Sequence, residues 1–312
     1  MTDSSNPRVS VIMGVYNAEP YLAAAIESIL GQTFRDFEFI VVDDGSTDSS
    51  LQTLRRYAEL DSRIRVRSWA NAGHARALNE ALSLASGEYI GRMDQDDISL
   101  PDRFERQVHF LDEHAECVAV GCRVLLIDPE GLPIRELCTL ENHEDIDRFD
   151  LEDKRGTALA HPTLMMRRTV LIGIGAYRPD FELAEDVDLL LRLAEKGRLA
   201  NMAEVLFHYR QHPGSSGYAR SRKMWLANMA AVQDAMVRRG LPGTADSDSS
   251  TMKELARIHS QEQMETCHRK WAWWALGAGN VYTARKHAFA AFRQAPLSPE
   301  SWRVLLCAIR GH

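Results

Sequence analysis

The chain has 312 residues, 45% apolar and 26% charged, an ordinary balance for a soluble protein with a full-sized core. Its net charge of −7 argues against binding nucleic acid over its whole surface, so no nucleic-acid partner is expected. That charge is uneven: residues 251–312 carry nine Lys and Arg against four Glu, a local +5 that leaves −12 on residues 1–250. Five cysteines without a C-x-x-C pair indicate neither a disulfide framework nor a zinc site, and suit buried thiols in a reducing compartment. The polar start M-T-D-S-S-N-P-R lacks the apolar core of a secretory signal, and no run approaches the ~20 apolar residues that span a bilayer. A cytoplasmic protein is expected.

In chain order, Val9–Tyr16 is a β-branched run suited to a strand buried on both faces of a parallel sheet. Pro20 opens a helix to about Leu30, closed by Gly31. Phe37–Val42 is a second buried strand running into D-D-G-S-T-D. A helix follows with Leu51, Leu54, Tyr57 and Ala58 inward, then a weaker strand Ile64–Trp69 and a helix from His74 to about Ala85. Strand and helix alternating over short links predict a doubly wound α/β sheet, whose ligands sit beyond the carboxyl ends of the strands. Neither G-x-G-x-x-G nor a P-loop is present, so a nucleotide would be held by carboxylates and a metal rather than by a glycine cradle.

Gly87 is read as a helix end, and Glu88–Met93 as a short buried strand. Asp94, Asp96 and Asp97 then fall within four consecutive positions. Carboxylates so close repel one another unless a cation is shared, and a hard divalent ion is the usual solution. An acidic surface turn is the alternative for this motif taken by itself. Beyond the helix Asp102–His114 come a strand Val118–Ile127, a polar surface excursion Glu141–Arg155 and a short strand Thr163–Met166. An irregular Leu171–Asp180 leads to a helix Leu183–Ala194 with Glu185, Asp186 and Asp188 in its first turn, and a last short strand Val205–Arg210 leads to the loop Q-H-P-G-S-S-G. First-turn acids suit a helix dipole on their own, and D-D-G is equally a turn former.

The words V-S-V-I-M-G-V-Y-N, S-I-L-G-Q-T-F, D-F-E-F-I-V-V-D-D-G-S-T-D, N-A-G-H-A-R-A-L-N, G-E-Y-I-G-R-M-D-Q-D-D, P-D-R and A-E-D-V-D-L-L-L-R occur in order over roughly residues 8–212. Together they resemble family 2 of the nucleotide-sugar glycosyltransferases. The absence of Q-x-x-R-W places the resemblance in the non-processive branch. It implies a GT-A type doubly wound mixed sheet flanked by helices, and an inverting, metal-dependent transfer from a UDP- or dTDP-sugar to an acceptor hydroxyl in cell-surface polysaccharide or glycolipid synthesis. Asp186 is implied as the catalytic base and Asp96 as a ligand of Mn2+ or Mg2+, with His212 the histidine chosen to complete the metal shell. For the donor nucleotide, Asp44 is implied to accept the N3–H of uracil or thymine and Asp94 to hold hydroxyls. Gly14, Val15 and Asn17 are implied to lie beside the base, Arg76 to meet the diphosphate or the base edge, and Arg210 is a second phosphate candidate. The rivals are a sugar-nucleotide pyrophosphorylase and a non-catalytic nucleotide-sugar binding protein. The former expects a glycine-rich, Lys- and Arg-bearing loop where this chain reads G-V-Y-N-A.

The catalytic domain is expected over residues 1–218, with a C-terminal helical region over 219–312. Ser221–Arg239 is amphipathic, Gly243–Ser250 reads as a linker, and a helical hairpin follows, packed on the main domain or on a second copy in a homodimer. Its basic residues Arg285, Lys286, Arg293, Arg303 and Arg310 lie among Trp271, Trp273, Trp274, Phe289, Phe292 and Trp302. That mix suits either a peripheral surface on anionic lipid, where a lipid-linked acceptor would be met, or a hairpin core with a solvated cationic face.

Overall fold

A computed structural model describes residues 6–152, 156–215, 221–242 and 264–311. The linker expected at Gly243–Ser250 lies outside the described residues, as do the last residues of the expected excursion at 141–155 and of the loop at 211–217. Two compact units are present. Met1–Arg123, Cys138–Phe207 and Ala227–Gly243 form the first; Val124–Leu137, His208–Leu226 and Thr244–His312 form the second.

The first unit opens β1 (Val9–Val15), α1 (Leu22–Leu30), β2 (Phe37–Asp43), α2 (Ser50–Leu60), β3 (Ile64–Ser68), α3 (His74–Ser83), β4 (Tyr89–Arg92). All seven residues of β1 are buried, as a strand covered by helices on both faces requires. Strands β3, β2, β1 and β4 lie side by side and parallel, with Val15 opposite Asp43 and Ile12 opposite Arg92. Crossover helices therefore return the chain so that β1, β2 and β4 all end at one edge of the sheet. There follow β5 (Ile98–Ser99), α4 (Arg103–Glu113), β6 (Cys117–Ile127), β7 (Pro133–Leu137), α5 (His143–Glu152), β8 (Met165–Arg167), α6 (Arg168–Gly173), α7 (Glu185–Ala194), β9 (Arg198–Arg210) and α8 (Ser221–Arg238). Strand β8 pairs antiparallel with β4 and with β6, which makes the sheet mixed. Among the described residues the sheet has nine strands, in the order β3-β2-β1-β4-β8-β6-β9-β5, with β7 paired to β6. The core gathers Ile12, Ile40 and Val42 from the strands, Leu78 and Leu82 from α3, and Leu189, Leu190 and Leu193 from α7. The other side of α7, through Val187 and Leu191, meets Ala231, Val232 and Ala235 of α8.

Four details differ from the sequence reading. The stretch from Glu141 is not an excursion but helix α5, anchored by a fully buried Ile146 and by Phe149 at the core edge. With Leu151, which meets the α7–α8 cluster, that makes three apolar residues in ten, too sparse to register as a periodic face. Leu171–Asp180 is not wholly irregular, since α6 runs through Gly173. The last strand is 13 residues long rather than six, because polar Asn201 is buried in its first half and breaks the apolar run. Gly87 lies four residues past the end of α3 and does not close it.

In the second unit the end of β6 pairs with β7, Val124 opposite Leu137, and three helices follow: α9 (Met264–Gly277), α10 (Val281–Gln294) and α11 (Pro299–Arg310). Fully buried Asp128 accepts a hydrogen bond from the backbone N–H of Leu132 at 2.8 Å and pairs with Lys286 and, at 3.0 Å, with His287. Trp271 is wholly buried between the rings of His268 and His287, at 5.4 and 5.1 Å. Helix α11 is bounded as its sequence dictates: the Ser298 hydroxyl accepts from the N–H of Ser301, Pro299 sits in the first turn, and Gly311 ends it at φ 87°. Among the described residues no helix is long and apolar enough to cross a membrane.

Candidate active site

The parallel strands deliver three loops to one edge. At the tip of β2, Asp44 is 4% exposed, and its N–H donates to the Val15 carbonyl at the tip of β1 (2.7 Å). Its Oδ1 accepts from Trp69 Nε1 and from the Ala72 N–H, both at 2.8 Å, and Oδ2 accepts from the Gly73 N–H at 3.0 Å. One carboxylate thus pins the whole loop before α3. Gly45 makes this possible: its φ is +77°, and a Cβ there would lie 2.6 Å from Asn71 N. Asn17, left-handed at φ 51°, accepts on Oδ1 from Thr47 N at 2.8 Å and donates its own N–H to Ser46 Oγ at 3.0 Å, which locks the β1–α1 loop to D-G-S-T. Gln95 ties the same loop to the acidic turn, Oε1 accepting from Tyr16 N at 2.7 Å. The Tyr16 ring is left 46% exposed.

After β4, carboxylate oxygens of Asp94, Asp96 and Asp97 all lie within 4.8 Å of one another. Beside them Arg92, 2% exposed on β4, forms an ion pair with Asp94 and donates from Nη2 to His74 Nε2 at 2.7 Å. His74 must therefore be the neutral tautomer carrying its proton on Nδ1. Burial, with the Arg92 charge second, takes its pKa down to about 4, against the opposing pull of Asp94 and Asp44. Gly14 leaves room for the imidazole, since a Cβ there would sit 3.1 Å from His74 Nδ1. Arg103, also buried, donates to the carbonyls of Arg92 (3.1 Å) and Pro162 (2.8 Å) and so props the end of β4.

The third contribution comes from the start of α7. Leu183 takes a left-handed φ of 75°, a strained conformation for a bulky residue that turns the chain into the helix. The turn before it lies against the Asp44-held loop, for a Cβ added at Gly73 would be 3.6 Å from the Glu182 carboxylate. Glu185 keeps a buried Oε2 without a hydrogen bond, and burial together with the charge of Asp186 raises its pKa to about 7. Asp186 is raised as well, by burial first and by Asp94 too, while the Val187 N–H at 2.8 Å and the Arg92 charge pull it down. Asp188 faces elsewhere, fully buried in ion pairs with Arg178 and Arg192.

The first unit therefore brings together Gly14, Val15, Asn17, Asp44, Asp94, Asp96 and Asp186 around the His74–Arg92 pair. Arg76 stands exposed in the first turn of α3. Arg210 and His212 belong to the second unit. Arg210 Nη1 donates to the carbonyls of Asp128 (3.3 Å) and Pro129 (2.9 Å), and the loop of His212 is closed by Ser215 N on the His212 carbonyl at 3.0 Å. Sequence reasoning missed Arg92, His74 and Tyr16. For Arg92 a signal existed, because a charge inside a strand otherwise read as buried needs a partner.

A sequence profile of glycosyl transferase family 2 matches residues 10–175. A putative glycosyltransferase of Bacillus subtilis, EpsE, is 37% identical over 244 residues, 77% of this chain and 85% of the relative. The O-antigen biosynthesis glycosyltransferase WbnJ of Escherichia coli is 37% identical over 213 residues, 67% and 81% of the two chains. Among solved structures, residues 1–349 of Staphylococcus aureus TarS in complex with UDP-GlcNAc superpose with a TM-score of 0.61 at 18% identity, over 98% of this chain and 92% of that one. A Pyrobaculum calidifontis mannosyltransferase in complex with GDP-Man and Mn2+ gives 0.55 at 21% identity, over 98% and 87%. The chain belongs to glycosyl transferase family 2 and is a glycosyltransferase with a GT-A type fold.

Proposed function

We propose that this enzyme moves a sugar from a UDP- or dTDP-sugar to an acceptor hydroxyl, with inversion, in the synthesis of a cell-surface polysaccharide or glycolipid. The observation that carries this reading is the convergence of the Asp44-held loop, the acidic turn and the start of α7 on one buried Arg92. The O-antigen relative supports the process, and the neighbours that hold UDP-GlcNAc or GDP-Man support a nucleotide-sugar donor.

Asp94, Asp96 and Asp97 fit a divalent cation: three carboxylates with oxygens inside 4.8 Å make an all-oxygen donor set, the hard kind that Mg2+ or Mn2+ takes. When bound there, the ion would neutralise charge growing on the departing diphosphate. Asp44 has two of its four lone-pair sites on Oδ1 and one on Oδ2 already filled. The remaining Oδ2 site is the acceptor for a base N3–H, which cytosine lacks. The exposed ring of Tyr16 supplies a face on which the base stacks, and Arg76 offers its guanidinium to the diphosphate. Asp186 takes the proton of the acceptor hydroxyl as that oxygen attacks the anomeric carbon. The new carbon–oxygen bond forms opposite the bond to phosphate, whose electron pair leaves with the nucleoside diphosphate. Burial first, then the charge of Asp186 on Glu185 and of Asp94 on Asp186, raises both carboxyls, the direction that favours a general base. Arg92 keeps Asp186 from being lifted too far.

A thermal-shift screen of nucleotide sugars with and without Mn2+ identifies the donor, since a ligand of the native state raises the melting point by mass action. Asp186→Asn is then expected to keep the donor-induced shift and lose transfer; normal transfer by this variant would assign the base elsewhere.

A further inference from the structure

Helices α10 and α11 each carry two faces of opposite character. On α10 the buried side is Ala284, His287, Ala288 and Ala291. Its other side carries Tyr282, Arg285, Phe289 and Arg293 at helical spacings of three, four and four, one continuous stripe. On α11 Ser301, Val304 and Ala308 are buried. The opposite stripe is Trp302, Leu306 and Ile309, with Arg303 and Arg310 one position further round at the same seven-residue spacing. These apolar side chains are not tucked away: Tyr282 is 74% exposed, Phe289 53% and Ile309 57%. The stripes adjoin, because Arg285 Nη2 donates to the Ile309 carbonyl at 2.9 Å and the rings of Phe292 and Trp302 meet at 4.6 Å. Residues 281–310 hold five Lys and Arg and one acid, Glu300. Arg303 also borders an open groove with Arg269, Trp273 and Glu300, where two guanidinium groups outweigh one carboxylate.

Aromatic and aliphatic side chains this exposed are not explained by folding, and a patch of them rimmed by polar groups marks an interaction surface. Its occupant is chosen by charge. A second copy would set four arginines against four arginines, a like-charge juxtaposition that opposes association. An anionic bilayer surface instead attracts each cation while Trp, Tyr, Phe and Ile enter the headgroup region, and the long arginine stems let their charges stay at headgroup level. We propose that the exposed face of α10 and α11 docks on an anionic membrane surface, lying on it rather than crossing it. It rests on the transfer reading only for its purpose, which would be to meet a lipid-linked acceptor.

The test is co-sedimentation of the full chain with vesicles of phosphatidylcholine alone, or of phosphatidylcholine with phosphatidylglycerol added. Binding only to the anionic vesicles, weakened by salt, is expected. Each basic residue near such a surface is worth about fivefold in partitioning, so Arg303→Ser with Arg310→Ser should cost roughly 25-fold, and Phe289→Ser with Ile309→Ser should also release the protein. Equal binding to both vesicle types, no binding to either, or unchanged binding by both double variants would overturn the proposal. So would a self-association seen by analytical ultracentrifugation that the Phe289→Ser, Ile309→Ser variant loses, which would give the face to a second copy. UDP release with a water-soluble acceptor is read on the same variants and should not change, so failure of docking and failure of glycosyl transfer are separate results.

Discussion

Replacing Arg92 by methionine tests how the site is held together. The guanidinium is 2% exposed, pairs with Asp94 and donates to His74. Methionine fills a similar volume without charge, so the cost is chiefly that of stranding Asp94. Removing one partner of a buried pair costs about 3–5 kcal/mol. The Asp94 side chain keeps 24% exposure, and water reaching it puts the expected loss at the lower end, about 3 kcal/mol. For a unit of this size that is a fall of roughly 6–12 °C in Tm. A second effect follows from the sign of the Arg92 charge, which lowers both Glu185 and Asp186. Without it their pKa values rise further, and the acid limb of the kcat/KM profile should move to higher pH. Thermal unfolding followed by circular dichroism reads the first effect, and a pH–rate series the second. Arg92→Lys keeps the charge but not the planar fork, so it should restore much of the profile and little of the stability. A Tm within a degree or two of wild type, together with an unmoved pH limb in Arg92→Met, would refute the account of Arg92 as the hub.

Asp44→Asn should separate structure from recognition: its amide puts a donor against the Gly73 N–H, costing about 1–3 kcal/mol in urea unfolding, and should weaken uridine-nucleotide binding beyond that loss of stability. Asp96→Ala should abolish Mn2+ binding in calorimetry and transfer with it, whereas retention of either would remove the metal role. The raised pKa of Glu185 means that the native state binds the extra proton, so its contribution to stability is present below about pH 4.5 and is lost as pH rises toward 7. Asp150, raised to about 7 mainly by burial, acts in the same direction, so Glu185→Gln should remove only part of that slope in Tm against pH and Asp150→Asn another part. Asp186, whose carboxyl burial also raises, must lose its proton to act as base, so transfer in wild type should rise with pH on the acid side of its optimum.

What could be read from the sequence divides along a physical line. Strands β1 and β2 were legible because a parallel strand covered on both faces must be apolar at every position, and a run such as F-E-F-I-V-V admits few other readings. The acids at their tips were legible for the same reason, since polar residues abutting such runs fall at the sheet's edge. Helix α5 was not, because its packing rests on Ile146 with only the half-buried Phe149 and Leu151 beside it. The three-way grip of Asp44 on Trp69, Ala72 and Gly73 was out of reach for another reason: its partners lie 25–29 residues away, and no local pattern encodes a bond of that span. Arg92 is the most instructive case. In G-R-M-D it reads as a stray charge on a strand, yet the same fact, a cation with no access to water, obliges the fold to bring anions to it. Asp94 next to it meets that obligation by direct pairing, and the charges of Glu185 and Asp186 do so from a helix more than ninety residues on. An arginine set inside an apolar strand is thus the sequence feature that obliges acids from distant parts of the chain to converge on it.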